Sequence, residues 1–193
     1  MTRLIGIAGP MKTGKSTLAA LLANTHYDLP VVSYAEAVRQ EVSQAFFHKQ
    51  QRAEARFLWD TLESADKSLT RPILQAWGQG KRDLVGPDYW VNRLQEYVEK
   101  RGYETAIVDD VRYANEAEHI FRNDGIMFRL YADEKTLNER GAIVRQHPSE
   151  DMTGLDEVLT QGFFPTRTKL INTSGRSPYG LLKAALPHME EWF

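Results

Sequence analysis

Residues 9–16 have the sequence Gly-Pro-Met-Lys-Thr-Gly-Lys-Ser, which is a complete G-x-x-x-x-G-K-S pattern. In this pattern the glycines let the backbone turn so that successive N–H groups point inward and surround a phosphate chain. We expect Lys15 to reach the β- and γ-phosphates of a nucleotide and the Ser16 hydroxyl to be a ligand of Mg²⁺. The other expected nucleotide-binding positions of this loop are Gly9, Lys12, Thr13, Gly14 and Thr17.

The residues on both sides of this loop have the composition that a phosphate-binding loop requires. Residues 4–8 are apolar and predict a buried strand, and residues 16–22 predict a helix. The N-terminus of that helix adds partial positive charge where the phosphates would lie. The alternative is a glycine-rich turn that contains a lysine by chance. The strand, the helix and all four fixed positions of the pattern favour phosphate binding.

A second feature is the sequence Ile-Val-Asp-Asp at residues 107–110, an apolar strand that ends in two carboxylates. Beside a phosphate-binding loop, such a carboxylate holds Mg²⁺ through water or orients the phosphoryl acceptor. Strands also end in aspartate because aspartate favours turns. The loop at residues 9–16 is what favours the functional interpretation.

Composition limits the classes of protein to which the chain can belong. Its 193 residues are enough for one α/β domain with a core, and we expect a single domain over residues 1–193. The net charge of −2 argues against a nucleic-acid partner, although a local basic cleft stays compatible with it. The absence of cysteine excludes disulfides and thiolate metal sites.

The first predicted strand begins at Arg3, and no apolar run is long enough to span a bilayer. We therefore expect no secretory or transit leader, no membrane partner and a cytoplasmic location. We also expect a monomer or a homodimer.

Strands that alternate with helices predict a parallel sheet with helices on both faces. We expect a three-layer α/β fold with five parallel strands, whose carboxyl ends bind the ligand. Two insertions are candidates for a substrate-binding region, at about residues 34–102, and for a mobile lid, at about 132–169. The predicted strands are 3–8, 31–33, 105–108, 126–131 and 170–172. The predicted helices are 16–24, 35–49, 53–62, 70–77, 88–100, 115–123 and 177–189.

The segment Asp110-Val111-Arg112, followed by Asn115-Glu116-Ala117, resembles the D-x-R…E segment of bacteriophage deoxynucleoside monophosphate kinases. These are P-loop enzymes with an adenylate-kinase-like fold. The resemblance runs in chain order from the N-terminus to about residue 186. Its other blocks are residues 34–39, residues 71–78 with 88–91 (the family's R-x-x-x-Q-x-x-G…W-V block), residues 147–150 (its H-x-[ST]-E motif) and residues 170–175.

The resemblance implies transfer of the γ-phosphoryl group of ATP, with Mg²⁺, to a deoxynucleoside monophosphate, which gives the diphosphate and ADP. It also implies the cytoplasm of a bacterial host as the location. Two polyanions must meet in such a reaction, so the protein needs fixed cations, a metal and exclusion of water more than a strong base. On this basis Lys15, Arg140 and Arg145 are expected catalytic residues, the two arginines closing over the phosphoryl group from the lid.

At the end of the third strand, the family match falls on Asp110 rather than Asp109. It implies that Asp110 holds the metal together with Ser16, or contacts the acceptor, and that Arg112 lies close to both phosphates. A salt bridge from Arg112 to Asp109 or Glu116 is the alternative. Glu116 is included among the substrate-side residues, although we expect it to hold Arg112 in place rather than do chemistry.

On the acceptor side, the resemblance implies that Arg39 binds the acceptor phosphate; the alternative is a solvated helix arginine. Arg71 and Gln75 lie four residues apart on one helical face, where the Gln75 amide suits a base edge. Gly78 belongs to the same block. Trp90 either stacks on a base or anchors its helix in the core.

Asn172 and Gly175 are expected to lie under the adenine of ATP, with a plain turn as the alternative. The role of His147–Glu150 stays unassigned.

Three other functions stay open. One is a P-loop kinase that acts on a hydroxymethylated base or an end in DNA, which the negative net charge disfavours. Another is an ATP-binding switch without an acceptor, which would leave Arg39, Arg71 and Gln75 without a purpose. The third is a small-metabolite kinase of the shikimate or gluconate type, for which no specific block matches.

Overall fold

The computed structural model describes residues 2–25, 28–142, 151–161 and 165–192. The strands are β1 (Arg3–Ala8), β2 (Val31–Val32), β3 (Thr105–Val111), β4 (Ile126–Tyr131) and β5 (Thr168–Asn172). The α-helices are α1 (Lys15–Ala23), α2 (Tyr34–Phe46), α3 (Arg52–Ala65), α4 (Lys67–Val85), α5 (Tyr89–Arg101), α6 (Ala114–Arg122), α7 (Glu134–Glu139), α8 (Thr153–Gln161) and α9 (Pro178–Glu190).

The five strands form one parallel sheet in the order β2-β3-β1-β4-β5. Helices α1 and α9 pack together on one face, and α6 and α8 pack together on the other. Strand β1 lies at the centre and is buried at five of its six positions, as expected for a parallel strand covered on both faces. The predicted three-layer α/β fold is therefore confirmed.

The two faces of β1 are filled by alternate residues. Ile5 and Ile7 pack into a cluster with Leu18 of α1 and Leu181 of α9. On the opposite face, a side chain at Gly6 would come within 3.1 Å of the Ile120 side chain of α6. This alternation is the two-residue period of a strand, and it fixes β1 between the two helical layers.

Gly125, in the turn between α6 and β4, lies directly against other backbone. A Cβ atom there would lie 2.1 Å from the Leu4 carbonyl oxygen and 2.6 Å from the Ile120 carbonyl oxygen. We expect Gly125→Ala to lower the free energy of unfolding by about 3 kcal/mol, because backbone on both sides must move. Urea denaturation measures this change. Gly154→Ala is the matched control, since nothing lies within 4 Å of that position; equal losses in the two variants would contradict the steric explanation.

The chain divides into two compact units, one formed by Met1–Val32 with Val98–Phe193 and the other by Ser33–Tyr97. The second unit is helical, and α2, α3 and α4 pack against one another within it. Helix α4 was predicted to end at Trp77 but continues to Val85, through two glycines. Gly78 is buried, and its carbonyl oxygen accepts a hydrogen bond from Trp90 Nε1 (2.9 Å). Tertiary packing thus outweighs the low helix propensity of glycine.

Two other boundaries differ from the sequence predictions. Strand β3 continues to Val111, three residues beyond its predicted end, and so includes both aspartates. Where the structure describes it, the polar segment 132–169 contains α7, α8 and a 3₁₀ turn at Pro165–Arg167. It overlaps β5, which begins at Thr168. No helix within the described ranges is long and apolar enough to cross a membrane.

Candidate phosphate-binding site

The loop between β1 and α1 has positive φ angles at three positions, two of which are occupied by glycine. The φ angles of Gly9, Lys12 and Gly14 are 155°, 66° and 95°. A Cβ atom at Gly9 would lie 2.6 Å from the Leu130 carbonyl oxygen and 2.7 Å from Thr13 Oγ1. Left-handed residues interleaved with ordinary ones turn the backbone into a concave surface, the geometry that binds anions. Gly14 is also the N-cap of α1, which places a helix N-terminus at the loop.

Lys15 and Thr13 both donate side-chain hydrogen bonds to carbonyl oxygens of the loop. Lys15 Nζ donates hydrogen bonds to the carbonyl oxygens of Gly9 (2.7 Å) and Pro10 (2.9 Å). Thr13 is fully buried, and its hydroxyl donates to the same Pro10 oxygen at 2.8 Å. The ammonium group is therefore held over the loop, where a phosphate chain would be the stronger acceptor.

The two aspartates of β3 lie at an irregularity in the sheet. Gly6 pairs with Val108, but Ala8 pairs with Val111, so β3 has one residue more than β1 over this stretch. Such a bulge redirects side chains. Asp109 Oδ2 lies 3.4 Å from Ser16 Oγ, which is long for a hydroxyl hydrogen bond but brings a carboxylate to the first turn of α1.

Electrostatics at this carboxylate are unusual. Burial raises the pKa of Asp109 to about 6, and the charge of Asp110 acts in the same direction. The Ser16 hydroxyl and the Lys15 ammonium oppose this shift and are outweighed. Burial is thus the main reason that the ionised form of this carboxylate is disfavoured, and a cation bound beside it would stabilise that form.

These donor atoms suit Mg²⁺, which prefers oxygen ligands. At nucleotide sites Mg²⁺ takes few ligands from the protein and the others from phosphate oxygens and water. Ser16 supplies a hydroxyl and Asp109 a carboxylate 3.4 Å from it, and the charge of the neighbouring Asp110 acts on Asp109. Among the described residues, no group of three or more histidine, aspartate or glutamate side chains is arranged to hold a metal ion by itself.

Glu116 lies under the segment that follows β3. It is 1% exposed, and its Oε2 accepts the backbone N–H groups of Arg112 (2.8 Å) and Tyr113 (3.1 Å). These bonds fix the backbone that carries the half-buried Arg112 side chain. The Glu116 carboxylate thus accepts hydrogen bonds from the backbone of its own chain, which is a structural role.

Arg140, at the end of α7, joins the loop to the segment after β5. Its Nη1 donates to the Lys12 carbonyl oxygen (3.2 Å) and to Thr173 Oγ1 (3.1 Å), and its Nη2 donates to the Thr173 carbonyl oxygen (2.8 Å). Thr173 is 2% exposed. The second expected lid arginine, Arg145, lies outside the described residues, as does His147–Glu150.

The turn after β5 carries the two residues expected under adenine. Asn172 Oδ1 accepts the Ser174 N–H at 2.9 Å, and Gly175 has a φ of 66°.

The structure adds two residues to those that the sequence analysis assigned. Asp109 was considered there but set aside in favour of Asp110, and it lies 3.4 Å from Ser16. Thr173 belongs to the 170–175 block but was given no role, and it accepts hydrogen bonds from Arg140.

In the helical unit, Arg39 forms a bidentate ion pair with Glu63, at 2.9 Å and 3.1 Å. Arg71 and Gln75 are half-buried on α4. Trp90 is 1% exposed and bonded to the Gly78 carbonyl oxygen, which is the arrangement of the core-packing alternative.

No protein-family model and no curated protein sequence matches the chain. Solved structures are similar to it, however. A sugar kinase from Janibacter sp. HTCC2649 has a TM-score of 0.52 at 15% identity, over 98% of this chain and 95% of that one. A gluconokinase from Sinorhizobium meliloti 1021 has a TM-score of 0.52 at 13% identity, over 97% and 91%. At these identities the likeness shows the fold alone, so the chain shares its three-layer α/β architecture with these two kinases.

Proposed function

We propose that the protein is an ATP-dependent deoxynucleoside monophosphate kinase. The observation that carries the proposal is the preformed loop, with Lys15 held over it and Ser16 beside a carboxylate of β3. Phosphoryl transfer requires these parts at the donor nucleotide. The resemblance of the Arg71–Gly78 and Asp110–Glu116 blocks to phage monophosphate kinases supports the choice of acceptor.

On the donor side, Lys15 exchanges the carbonyl oxygens of Gly9 and Pro10 for the β- and γ-phosphates of ATP. The loop N–H groups and the N-terminus of α1 hold the same phosphates. Ser16 and the β3 carboxylates Asp109 and Asp110 would hold Mg²⁺, which would supply positive charge to neutralise the transferring group. Asn172 and Gly175 lie beneath the adenine.

On the acceptor side, Arg39 binds the phosphate of the monophosphate, and Arg71 with Gln75 contacts the phosphate or base. Arg112 lies close to the transferring group. A phosphate oxygen of the monophosphate is already deprotonated at neutral pH, so direct transfer needs no dedicated general base. We assign no base contact to the buried Trp90 and no chemistry to Glu116.

A small-metabolite kinase is the second candidate, because the similar structures include a sugar kinase and a gluconokinase. Its acceptor would carry a hydroxyl in place of a phosphate. In that case the arginines of the helical unit would bind a carboxylate, and the transfer step would remove a hydroxyl proton.

A coupled ADP-release assay with a panel of acceptors separates these functions. The panel holds every natural deoxynucleoside monophosphate, 5-hydroxymethyl-dCMP, gluconate, shikimate and DNA that contains hydroxymethylated bases. We expect acceptor-dependent turnover with at least one monophosphate. Turnover only with gluconate or shikimate would show a small-metabolite kinase instead, and turnover only with DNA would show a kinase that acts on DNA. Tight ATP binding without any acceptor-dependent turnover would favour a nucleotide switch.

Arg39→Ala tests the acceptor side. We expect the KM for the monophosphate to rise roughly tenfold or more, because a charge-assisted hydrogen bond contributes about 1.5–3 kcal/mol. The KM for ATP should change little. Initial rates over a grid of both substrates measure the two constants, with the exposed Arg52→Ala of the same unit as control. An equal rise in both constants would remove Arg39 from the acceptor site.

A further inference from the structure

We propose that Glu63 is a positioning residue for the acceptor phosphate, acting through Arg39. The inference rests on the proposed function, since it takes Arg39 as the phosphate ligand. Glu63 lies on α3 and Arg39 on α2, so their pairing joins two helices of the same unit. Nothing in the sequence spacing indicated this partner, which lies 24 positions away along the chain.

The geometry of the pair restricts the guanidinium plane. Arg39 Nε donates to Glu63 Oε2 at 2.9 Å, and Nη2 donates to Oε1 at 3.1 Å. A guanidinium has two edges that can each bind an oxyanion bidentately. Because Glu63 engages the Nε–Nη2 edge, the direction of the Nη1–Nη2 edge is set as well. The acceptor phosphate would bind this second edge.

A neighbouring pair of contacts stabilises the same helix–helix junction. Arg56 of α3 donates to Glu36 of α2 and to Asp60, four residues ahead on its own helix. Glu36 and Arg39 are three apart on α2, and Asp60 and Glu63 are three apart on α3, so each set lies on one helix face. The junction therefore alternates in charge, with two arginines between three carboxylates.

The environment keeps Glu63 ionised. Its side chain is 19% exposed and that of Arg39 is 29% exposed. Burial alone would raise the pKa of Glu63, but the hydrogen bonds and charge of Arg39 outweigh it and hold the pKa below its usual value. A half-buried ionised pair of this kind is more rigid than two solvated side chains.

Glu63 has two opposite effects on an incoming phosphate. Its charge repels the anion, but its hydrogen bonds order a side chain that would otherwise lose its rotamer freedom on binding. The ordering is complete before the acceptor arrives, and Glu63 occupies the edge of Arg39 that the phosphate does not use. We therefore infer that ordering outweighs repulsion.

Glu63→Gln tests this inference, because it keeps the shape of the side chain and removes one of the two acceptor oxygens. We expect the KM for the monophosphate to rise on the order of tenfold, equivalent to about 1.4 kcal/mol, with kcat and the KM for ATP unchanged. Glu63→Asp should recover part of the loss. The double variant with Arg39→Ala should be no worse than Arg39→Ala alone, since the two residues act as one.

Asp60→Asn is the matched control, because it breaks the neighbouring pair with Arg56 and leaves Arg39 untouched; its acceptor KM should stay at the wild-type value. An unchanged or lowered acceptor KM in Glu63→Gln, with Arg39→Ala still impaired, would overturn the inference alone. Should Glu63→Gln fail to fold, Glu63→Asp replaces it in the test. A raised KM for the monophosphate with unchanged kcat and unchanged KM for ATP would support the inference, and an unchanged KM for the monophosphate would overturn it. Absence of turnover with every monophosphate in the wild-type protein would instead overturn the proposed function, and this inference with it.

Discussion

Replacing Lys15 with alanine is expected to lower kcat for phosphoryl transfer by about 10²- to 10³-fold, or roughly 3–4 kcal/mol, the usual effect of losing one preorganised charge donor. In the structure the ammonium group donates hydrogen bonds to the carbonyl oxygens of Gly9 and Pro10, both in its own loop. Losing these two bonds should cost little stability. The effect therefore belongs to the reaction, and steady-state kinetics with a saturating acceptor measure it.

Lys183→Ala is the matched control for this variant, because Lys183 is an exposed lysine on α9. Both variants should have melting temperatures close to that of the wild type. Near-normal turnover in Lys15→Ala would mean that the loop does not hold the transferring phosphate. A large fall in melting temperature would instead show that the lysine stabilises the fold.

Gly9→Ala is expected to abolish measurable ATP binding. The added methyl group would lie 2.6 Å from the Leu130 carbonyl oxygen, at a φ of 155° that side chains rarely adopt. The loop or β4 must move, and either change displaces the N–H groups that would face the phosphates. We expect a loss of affinity of at least 100-fold, about 2.7 kcal/mol, measured by calorimetric titration with ATP and Mg²⁺.

Gly86→Ala is the control that separates two effects of Gly9→Ala, namely the steric clash of the new methyl group and the strain of a side chain at a positive φ angle. Gly86 has a φ of 139°, but nothing lies within 4 Å of its would-be Cβ atom. This variant should lose some stability and keep its affinity for ATP. If Gly9→Ala bound ATP as tightly as Gly86→Ala, the loop would tolerate a side chain and the geometry described for it would not matter to binding.

The donor half of the site follows from sequence because its parts are local. A glycine pattern, an apolar strand before it and a helix after it specify the loop within residues 4–22, and the structure has that arrangement. The parallel sheet follows from the alternation of strands and helices. The strand order β2-β3-β1-β4-β5 was not predicted, since it depends on pairings between distant strands.

Long-range packing accounts for what the sequence analysis missed. The contact between Asp109 and Ser16 joins β3 to α1 across 93 positions of the chain, at a bulge in β3 that no local pattern indicates. Helix α4 continues past Gly78, whose carbonyl oxygen accepts a hydrogen bond from Trp90, 12 positions away. The Trp90 ring is buried, whereas the sequence alone left core packing and stacking on a base both open.

The most direct test of the central claim follows the transferred atom itself. The protein is mixed with ATP labelled with radioactive phosphorus in the γ position and with the monophosphate that gives the highest turnover, and the products are separated by chromatography. We expect the label in the deoxynucleoside diphosphate with the wild-type protein, and almost none there with Lys15→Ala. Label that appears only in inorganic phosphate, or in an acceptor without a phosphate, would contradict the account.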